Sequence, residues 1–363
     1  MRTASSWKQR LTAVVLSLGM LLPAAQLRAE AYFDHYGLLP ASPSLELGTQ
    51  PLGYPSGVIS AVMMRDKILA EALRQAGHPL RSHAFQRGAD TLGLFADQRL
   101  DAGLLGDVPT ILGASTGNLL VVGLVKQSST AIVARGEVQI SGLAGKRIGY
   151  VETSSAHHTL LQGLASTKLK ESDVTLVAMR VDDMPDALMR GEIDAFAAWE
   201  PAPSTALRLS NKNRIVFRGL SSDYFVINRN FEKKSPEAAR ILVAGFVRAI
   251  EWMRRSQKNA EMAARWAIAD AEKFSSKKSS LPASQIVAIT RREILNVPSA
   301  PVIISSPGAP APLRSEFTFL KGKNKLPAEG DWENVVSALG YDGLERVMSD
   351  QARYQTKRFD YAE

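Results

Sequence analysis

Two stretches of the chain place an acid at the same point of the same local pattern. Gln98–Pro109 reads Q-R-L-D-A-G-L-L-G-D-V-P and Gly191–Pro203 reads G-E-I-D-A-F-A-A-W-E-P-A-P. Each runs from a helix end through an Asp-Ala pair and a short apolar strand to an acid followed closely by proline. Six positions separate Asp101 from Asp107, and six separate Asp194 from Glu200. An acid at the carboxyl end of a strand faces the crevice in which open α/β sheets hold their ligands. Trp199, beside Glu200, offers a face for stacking or a cation–π contact. Two helix starts converge on the same edge. Ser56-Gly57 precedes one helix, and Thr153-Ser154-Ser155 precedes another with His157 and His158 in its first turn. Unpaired N–H groups and the positive dipole end make such starts anion sites. The chemistry these residues could do is non-covalent recognition of a small charged molecule. Simpler roles stay open for each: Ser56 as a helix cap, Asp107 as a dipole complement worth ~0.3–1 kcal/mol, His157 as a surface residue.

The elements that hold these groups alternate along the chain. Strands are expected at Leu45–Gly48, His83–Gly88, Leu104-Leu105, Val121–Val125 and Ala131–Ala134. More follow at Arg147–Val151, Val174–Met179, Ile193–Trp199, Asn213–Arg218 and Tyr224–Asn228. Helices are expected at Val58–Gln75, Ala89–Arg99, Thr110–Gly117, Ala156–Lys168 and Met184–Arg190. The last third is helical by period, at Glu237–Arg255, Lys258–Ala271 and Pro282–Asn296. Ser235-Pro236 is a cap with proline at the first helical position. Val297–Leu313 reads as a Pro/Ser/Gly-rich loop, and short helices close the chain at Phe317–Leu320 and Trp332–Leu339. This succession describes an α/β protein of two similar halves.

The ends and the composition narrow the class further. Arg2, Lys8 and Arg10 precede an apolar run, Leu11–Ala25, and Ala29-Glu30-Ala31 supplies a small-x-small cleavage site, so residues 1–31 read as a secretory signal peptide. The apolar run is shorter than the ~20 residues that span a bilayer. With no cysteine in the 363 residues, neither a lipid-anchored terminus nor a disulfide is available, which points to a protein released in soluble form. Cleavage removes four Lys/Arg and one Glu, so the formal charge falls from +8 to +5. That excess is spread along the chain rather than clustered, which argues against nucleic acid. No G-x-G-x-x-G or Walker motif calls for a nucleotide cofactor, and no G-x-S-x-G, H-E-x-x-H or cysteine supports catalysis. The five histidines lack metal-ligand spacing.

Five motifs then resemble one family in the right order. They are Leu100–Thr110, Gly142–Tyr150 (G-L-A-G-K-R-I-G-Y), Ser154–His157 (S-S-A-H), Arg190–Pro201 and Phe319–Pro327 (F-L-K-G-K-N-K-L-P). The chain resembles the solute-binding proteins of ABC importers for nitrate, sulfonates and taurine. That resemblance implies a periplasmic-binding-protein type II fold, two lobes each with a mixed sheet flanked by helices, joined by two crossing hinge strands. Lobe I would comprise 32–127 and 224–363 and lobe II 128–223, with the hinge near Ser128 and Asp223. The cleft would be lined by Tyr54, Ser56, Gly57, Asp107, Ser128, Thr153, Ser154, Ser155, His157, Trp199, Glu200 and Tyr224. Implied too are a sulfonate or taurine-like ligand, a permease partner in the inner membrane, a monomeric state, and no cofactor, metal or catalytic residue. Nitrate, bicarbonate and a pyrimidine are the alternative ligands within the family, and some relatives of the fold are enzymes. One departure matters: where the sulfonate-type loop often reads G-S-[ST]-S-H, this chain has Thr153 for Gly and Ala156 for the third hydroxyl, after Glu152. A branched residue limits the backbone's approach to a ligand, and the extra carboxylate disfavours a bare anion. An amine-bearing or heteroaromatic ligand would make fuller use of Asp107, Glu200 and Trp199.

Overall fold

The repeated Asp-Ala stretches fold into the same clamp twice. A computed structural model describes residues 38–39, 42–297, 301 and 311–361. Among the described residues, the strands are β1 (Leu45–Thr49), β2 (Leu80–Ala84), β3 (Ala102–Gly106), β4 (Leu119–Arg135), β5 (Arg147–Tyr150), β6 (Thr175–Ala178), β7 (Ala195–Ala198) and β8 (Asn213–Asn228). They form one mixed sheet in the order β2-β1-β3-β8-β4-β7-β5-β6. Before β3, Asp101 N–H donates to Glu46 O while its Oδ2 accepts from Glu46 N–H, both at 2.9 Å. Before β7, Asp194 N–H donates to Arg147 O at 2.8 Å and its Oδ2 accepts from Arg147 N–H at 2.9 Å. Each aspartate thus ties the start of its strand to the start of the parallel neighbour. The halves of the sheet mirror one another, since β2-β1-β3 and β6-β5-β7 are both parallel triplets.

Between the triplets lie β4 and β8, antiparallel to each other along almost their whole length. Sequence pattern expects each as two strands with a loop between. The structure runs them together because the polar middles pair with one another, from Lys126↔Asp223 to Thr130↔Gly219. Backbone groups that a loop would leave to water are satisfied in the ladder, whatever the side chains are. The first part of β4 (Val122, Val125) and the last part of β8 (Phe225, Ile227) enter a core with β1, β3 and the helices Ser56–Met63, Pro236–Arg255 and Gln257–Ser275. Further along β4, Ile132 and Val133 point to opposite faces, as alternate strand residues must. Val133 joins Phe196, Met184 and Leu188; Ile132 joins Ile148, Leu160 and Leu164 of the Ser155–Ser166 helix. Each long strand therefore feeds the core of one triplet at one end and of the other triplet at the other end.

Several helix boundaries differ from the sequence expectation. Val58–Gln75 is two helices, Ser56–Met63 and Lys67–Gln75, because the Asp66 carboxylate caps the second by accepting from Leu69 N–H at 3.0 Å. The apolar period continues across the break and conceals it. Asp66 also accepts from Arg248 Nε at 2.6 Å, with both side chains at most 2% exposed. Ala89–Arg99 becomes a 3-10 turn, Gly88–Thr91, and one short helix, Leu92–Ala96. A helix at Ala311–Gly322 is longer than the expected Phe317–Leu320. The described residues from 39 onward make one compact unit. The expected signal peptide, residues 1–31, and most of the expected Val297–Leu313 loop fall outside the described residues. No helix of the described residues is long and apolar enough to cross a membrane.

Breaking the Asp66–Arg248 pair should be costly, since one partner is left charged, buried and alone. Arg248→Ala is expected to lower the unfolding free energy by about 3–5 kcal/mol in urea titrations. A loss below about 1 kcal/mol would show that water or a rearranged neighbour already serves Asp66.

Candidate functional site

At the middle of the β4–β8 ladder lies a cavity of about 50 Å³. Its walls come from both triplets. The Gln50–Ser56 loop after β1 contributes Gln50, Tyr54 and Ser56; the loop after β5 contributes Thr153, Ser154 and Ser155; the end of β7 contributes Trp199; and the long strands contribute Lys126 and Asp223. Six of the residues expected from the sequence are brought together here: Tyr54, Ser56, Thr153, Ser154, Ser155 and Trp199.

The helix starts are less free than the sequence suggests. Pro55, not Ser56, occupies the cap position of the first, and the Ser56 hydroxyl donates to the Asp223 carboxylate. Ser154 caps the second: its Oγ accepts from His157 N–H at 3.2 Å and donates to Val151 O at 2.7 Å. The N–H groups of Ser155 and Ala156, at the first two helical positions, are then the donors left over. Thr153 adopts φ +56°, a left-handed conformation that costs a branched residue about 1–2 kcal/mol. The position the sequence singles out as a departure from glycine is thus one where glycine would be at ease.

Six expected residues do not line the cavity. Asp107 is buried behind it, where its carboxylate accepts from Val108 N–H at 2.8 Å and Ser222 N–H at 2.9 Å and is hydrogen-bonded by Ser155. Gly106 permits that last contact, since a methyl group there would sit 2.6 Å from Ser155 Oγ. Glu200 turns toward the Ala202–Leu209 helix, accepting from Ser204 N–H at 3.2 Å, with Arg292 at 3.7 Å. Ser128 accepts from Lys126 Nζ at 3.1 Å, and Tyr224 is enclosed in the protein. Gly57 lines a separate hollow near Arg65 and Asp270. His157 packs its ring edge-on to Tyr150 at 4.7 Å and lines a small cavity with Phe319 and Lys325. The Ser154–His157 pair that could suggest a nucleophile and its base is therefore not assembled.

Lys126 and Asp223 are the site residues that sequence reasoning missed. Lys126 is 4% exposed, with Nζ 3.8 Å from Asp223 Oδ1 and 3.6 Å from Glu293 Oε2. Burial works against its charge, but the carboxylates of Asp223, Glu293, Asp107 and Glu200 outweigh it and hold the ammonium above the ordinary lysine value. The available sequence signal was a lysine directly after the buried run Val121–Val125. Among the described residues, these two are the only formally charged side chains on the cavity wall.

Behind the wall is a second charged group of interest. Glu316, from the Ala311–Gly322 helix, is hydrogen-bonded to Asp107, and His158 Nδ1 lies 3.5 Å from Glu316 Oε1. Burial, then the neighbouring Glu316, pushes Asp107 up to about 7; burial pushes Glu316 up to about 7. Two carboxyl groups in contact share a proton.

The comparisons with known proteins bear on this geometry. Residues 88–260 match the model of a family described as NMT1/THI5 like. Over that stretch the chain is similar to the NMT1/THI5-like family. A protein of Escherichia coli (strain K12), provisionally named an aliphatic sulfonates-binding protein, is 26% identical over 222 residues, 58% of this chain and 69% of that one. The taurine-binding periplasmic protein of the same organism is 21% identical over 303 residues, 79% of this chain and 85% of that one. Among solved structures, the alkanesulfonate-binding protein SsuA from Xanthomonas axonopodis pv. citri, bound to MOPS, superimposes with a TM-score of 0.62 at 20% identity, covering 83% of this chain and 99% of that one. The chain thus has the fold of periplasmic binding proteins, and these relatives are named for binding.

The shared proton gives stability a definite pH dependence. Carboxyls whose folded value lies near 7 bind a proton that the unfolded chain, near 4, has released, so stability falls as pH rises between about 4 and 7. His158, depressed by burial, acts the other way as pH falls through the ordinary histidine range. Comparing wild type with Glu316→Gln separates the two, because Gln can still bond Asp107 but does not ionise. Melting temperatures from pH 5 to pH 8 are expected to fall less steeply in Glu316→Gln. Parallel curves would show that the acids hold no common proton.

Proposed function

We propose that this chain is the periplasmic solute-binding component of an ABC importer, taking a small sulfonate of the taurine-like, zwitterionic kind. The observation that carries the reading is the pair Lys126 and Asp223, one fixed positive and one fixed negative charge on an otherwise neutral wall. A sulfonate offers three acceptor oxygens to Lys126 Nζ and to the N–H groups of Ser155 and Ala156. Asp223 would repel a bare anion and attract an ammonium a few bonds away, so a zwitterion satisfies both. Trp199 closes the cavity over the ligand's carbon atoms. Support comes also from the relatives: aliphatic sulfonates, taurine and MOPS, the ligands in their names, have the sulfonate group in common.

In this reading the protein works by closure. Lobe I is 32–127 with 224–363 and lobe II is 128–223, rocking about β4 and β8 near Ser128 and Asp223. Contacts from one lobe to the other, Tyr54 N–H to Glu200 O at 2.9 Å and Trp199 Nε1 to Leu52 O at 3.2 Å, would form on closing. The signal peptide, residues 1–31, would export the chain, and the monomeric closed form would present the ligand to a permease in the inner membrane. No covalent step is involved: Ser154 spends its hydroxyl on the helix cap and on Val151 O.

Calorimetry with taurine and ethanesulfonate tests the proposal. Lys126→Met, confirmed folded by circular dichroism, is expected to weaken both by at least about 30-fold, the usual loss for a buried hydrogen-bonded charge. Asp223→Asn should weaken taurine more than ethanesulfonate. The assignment fails if the wild type binds neither, or if Lys126→Met binds them as the wild type does.

A further inference from the structure

A second, larger chamber lies on the far side of Tyr54. The first cavity, about 50 Å³, holds only a few water-sized groups on the measure by which one water needs roughly 10–15 Å³. The second is about 380 Å³, within the range of ligand pockets, and Tyr54 lines both. Between them stands a wall of two short segments, Leu52–Tyr54 after β1 and Trp199–Pro201 after β7. Trp199 faces the first chamber; Leu52 and Pro201 face the second. That wall is held by the bonds from Tyr54 N–H to Glu200 O and from Trp199 Nε1 to Leu52 O. One segment belongs to each half of the sheet, so separating the halves would merge the two chambers into one cleft.

The walls of the second chamber indicate what would lie there. On its charged rim Lys277 reaches Asp182 and bonds Asp183, and Lys278 meets Glu272 at 2.8 Å, while Asp186 adds a further acid. Beside these, the walls are apolar surface from Leu52, Val181, Pro185, Pro201, Ala202 and Leu281. A hydrocarbon group fits such walls, and a further anionic group does not.

Resting on the sulfonate reading above, we propose that the ligand is an N-substituted taurine. Its sulfonate lies at Lys126, its secondary ammonium at Asp223, and its apolar nitrogen substituent passes Tyr54 into the second chamber. The ammonium is the natural branch point, because Asp223 is tied through Ser56 to the same short loop that carries Tyr54. Tyr54 and Trp199 would then grip the chain where it crosses from one chamber to the other.

Taurine, N-methyltaurine, N-butyltaurine and N-cyclohexyltaurine, titrated calorimetrically into the wild-type protein, test this directly. Each methylene that leaves water is expected to strengthen binding about fourfold, so N-cyclohexyltaurine should exceed taurine by at least about 30-fold. Thr205→Trp and, separately, Ser275→Phe place bulk in the second chamber and should abolish that gain while leaving taurine unchanged. Having two variants guards against one failing to fold, and the wild-type series needs neither. If taurine binds but affinity is flat or falls along the series, the second chamber is not part of the site, and the sulfonate assignment stands without it. A rising series that both folded variants leave intact places the substituent elsewhere and overturns the inference too. If no member binds, both proposals fall together.

Discussion

The antiparallel pairing of β4 with β8, polar at its centre and apolar at both ends, is the constraint on which the rest depends. Its ends are fixed by burial in separate cores, through Val122, Val125, Phe225 and Ile227 on one side and Ile132 and Val133 on the other. Its centre sets Lys126 opposite Asp223 in register. Enclosing a lysine among carboxylates is expensive, and apolar residues of similar size would commonly give a fold as stable or more so. Charge at this point is what the proposed recognition of a ligand would use. Around it the protein tolerates other local costs, such as the left-handed Thr153 and the acid pair Asp107–Glu316.

The two acids of the repeated pattern illustrate how one sequence feature divides into two jobs. Asp101 and Asp194 tie parallel strands together at their starts. Asp107 and Glu200, at the far ends, brace the loops that line the cavity without entering it: Asp107 holds Ser222, Val108 and Ser155, and Glu200 holds Ser204. The charges on the cavity wall come instead from the long strands. Acids at strand ends here shape the site and set its field, and the lysine they surround stays charged because of them.

What was legible in the sequence was local. Strand, turn and helix start follow one another within a few residues at Leu45–Ser56 and Arg147–Ser155, so the loop residues Tyr54, Ser56 and Thr153–Ser155 could be placed at one edge. Trp199 was legible for the same reason, as the end of a short buried strand. Contacts between distant segments were not. Lys126 meets Asp223 only because β4 and β8 pair, and the hydroxyl-rich middles of both look like loops. Glu293 and Glu316 sit on helices of the last third, where nothing in the periodicity marks an inward acid. Asp66 was hidden because a continuous apolar face masked a break between two helices. Ser56 was expected as a cap, but the proline before it takes that position and releases its hydroxyl to Asp223.

Motion about the two long strands is the central claim, and the absence of cysteine makes it directly measurable. Arg190→Cys and Lys273→Cys place spin labels on exposed helical positions on opposite sides of the proposed hinge. Electron–electron distance measurement with and without saturating taurine should show a long, broad distribution collapsing to a shorter, narrower one. A distribution that taurine leaves unmoved, in a protein shown by calorimetry to have bound it, would contradict closure as the mechanism.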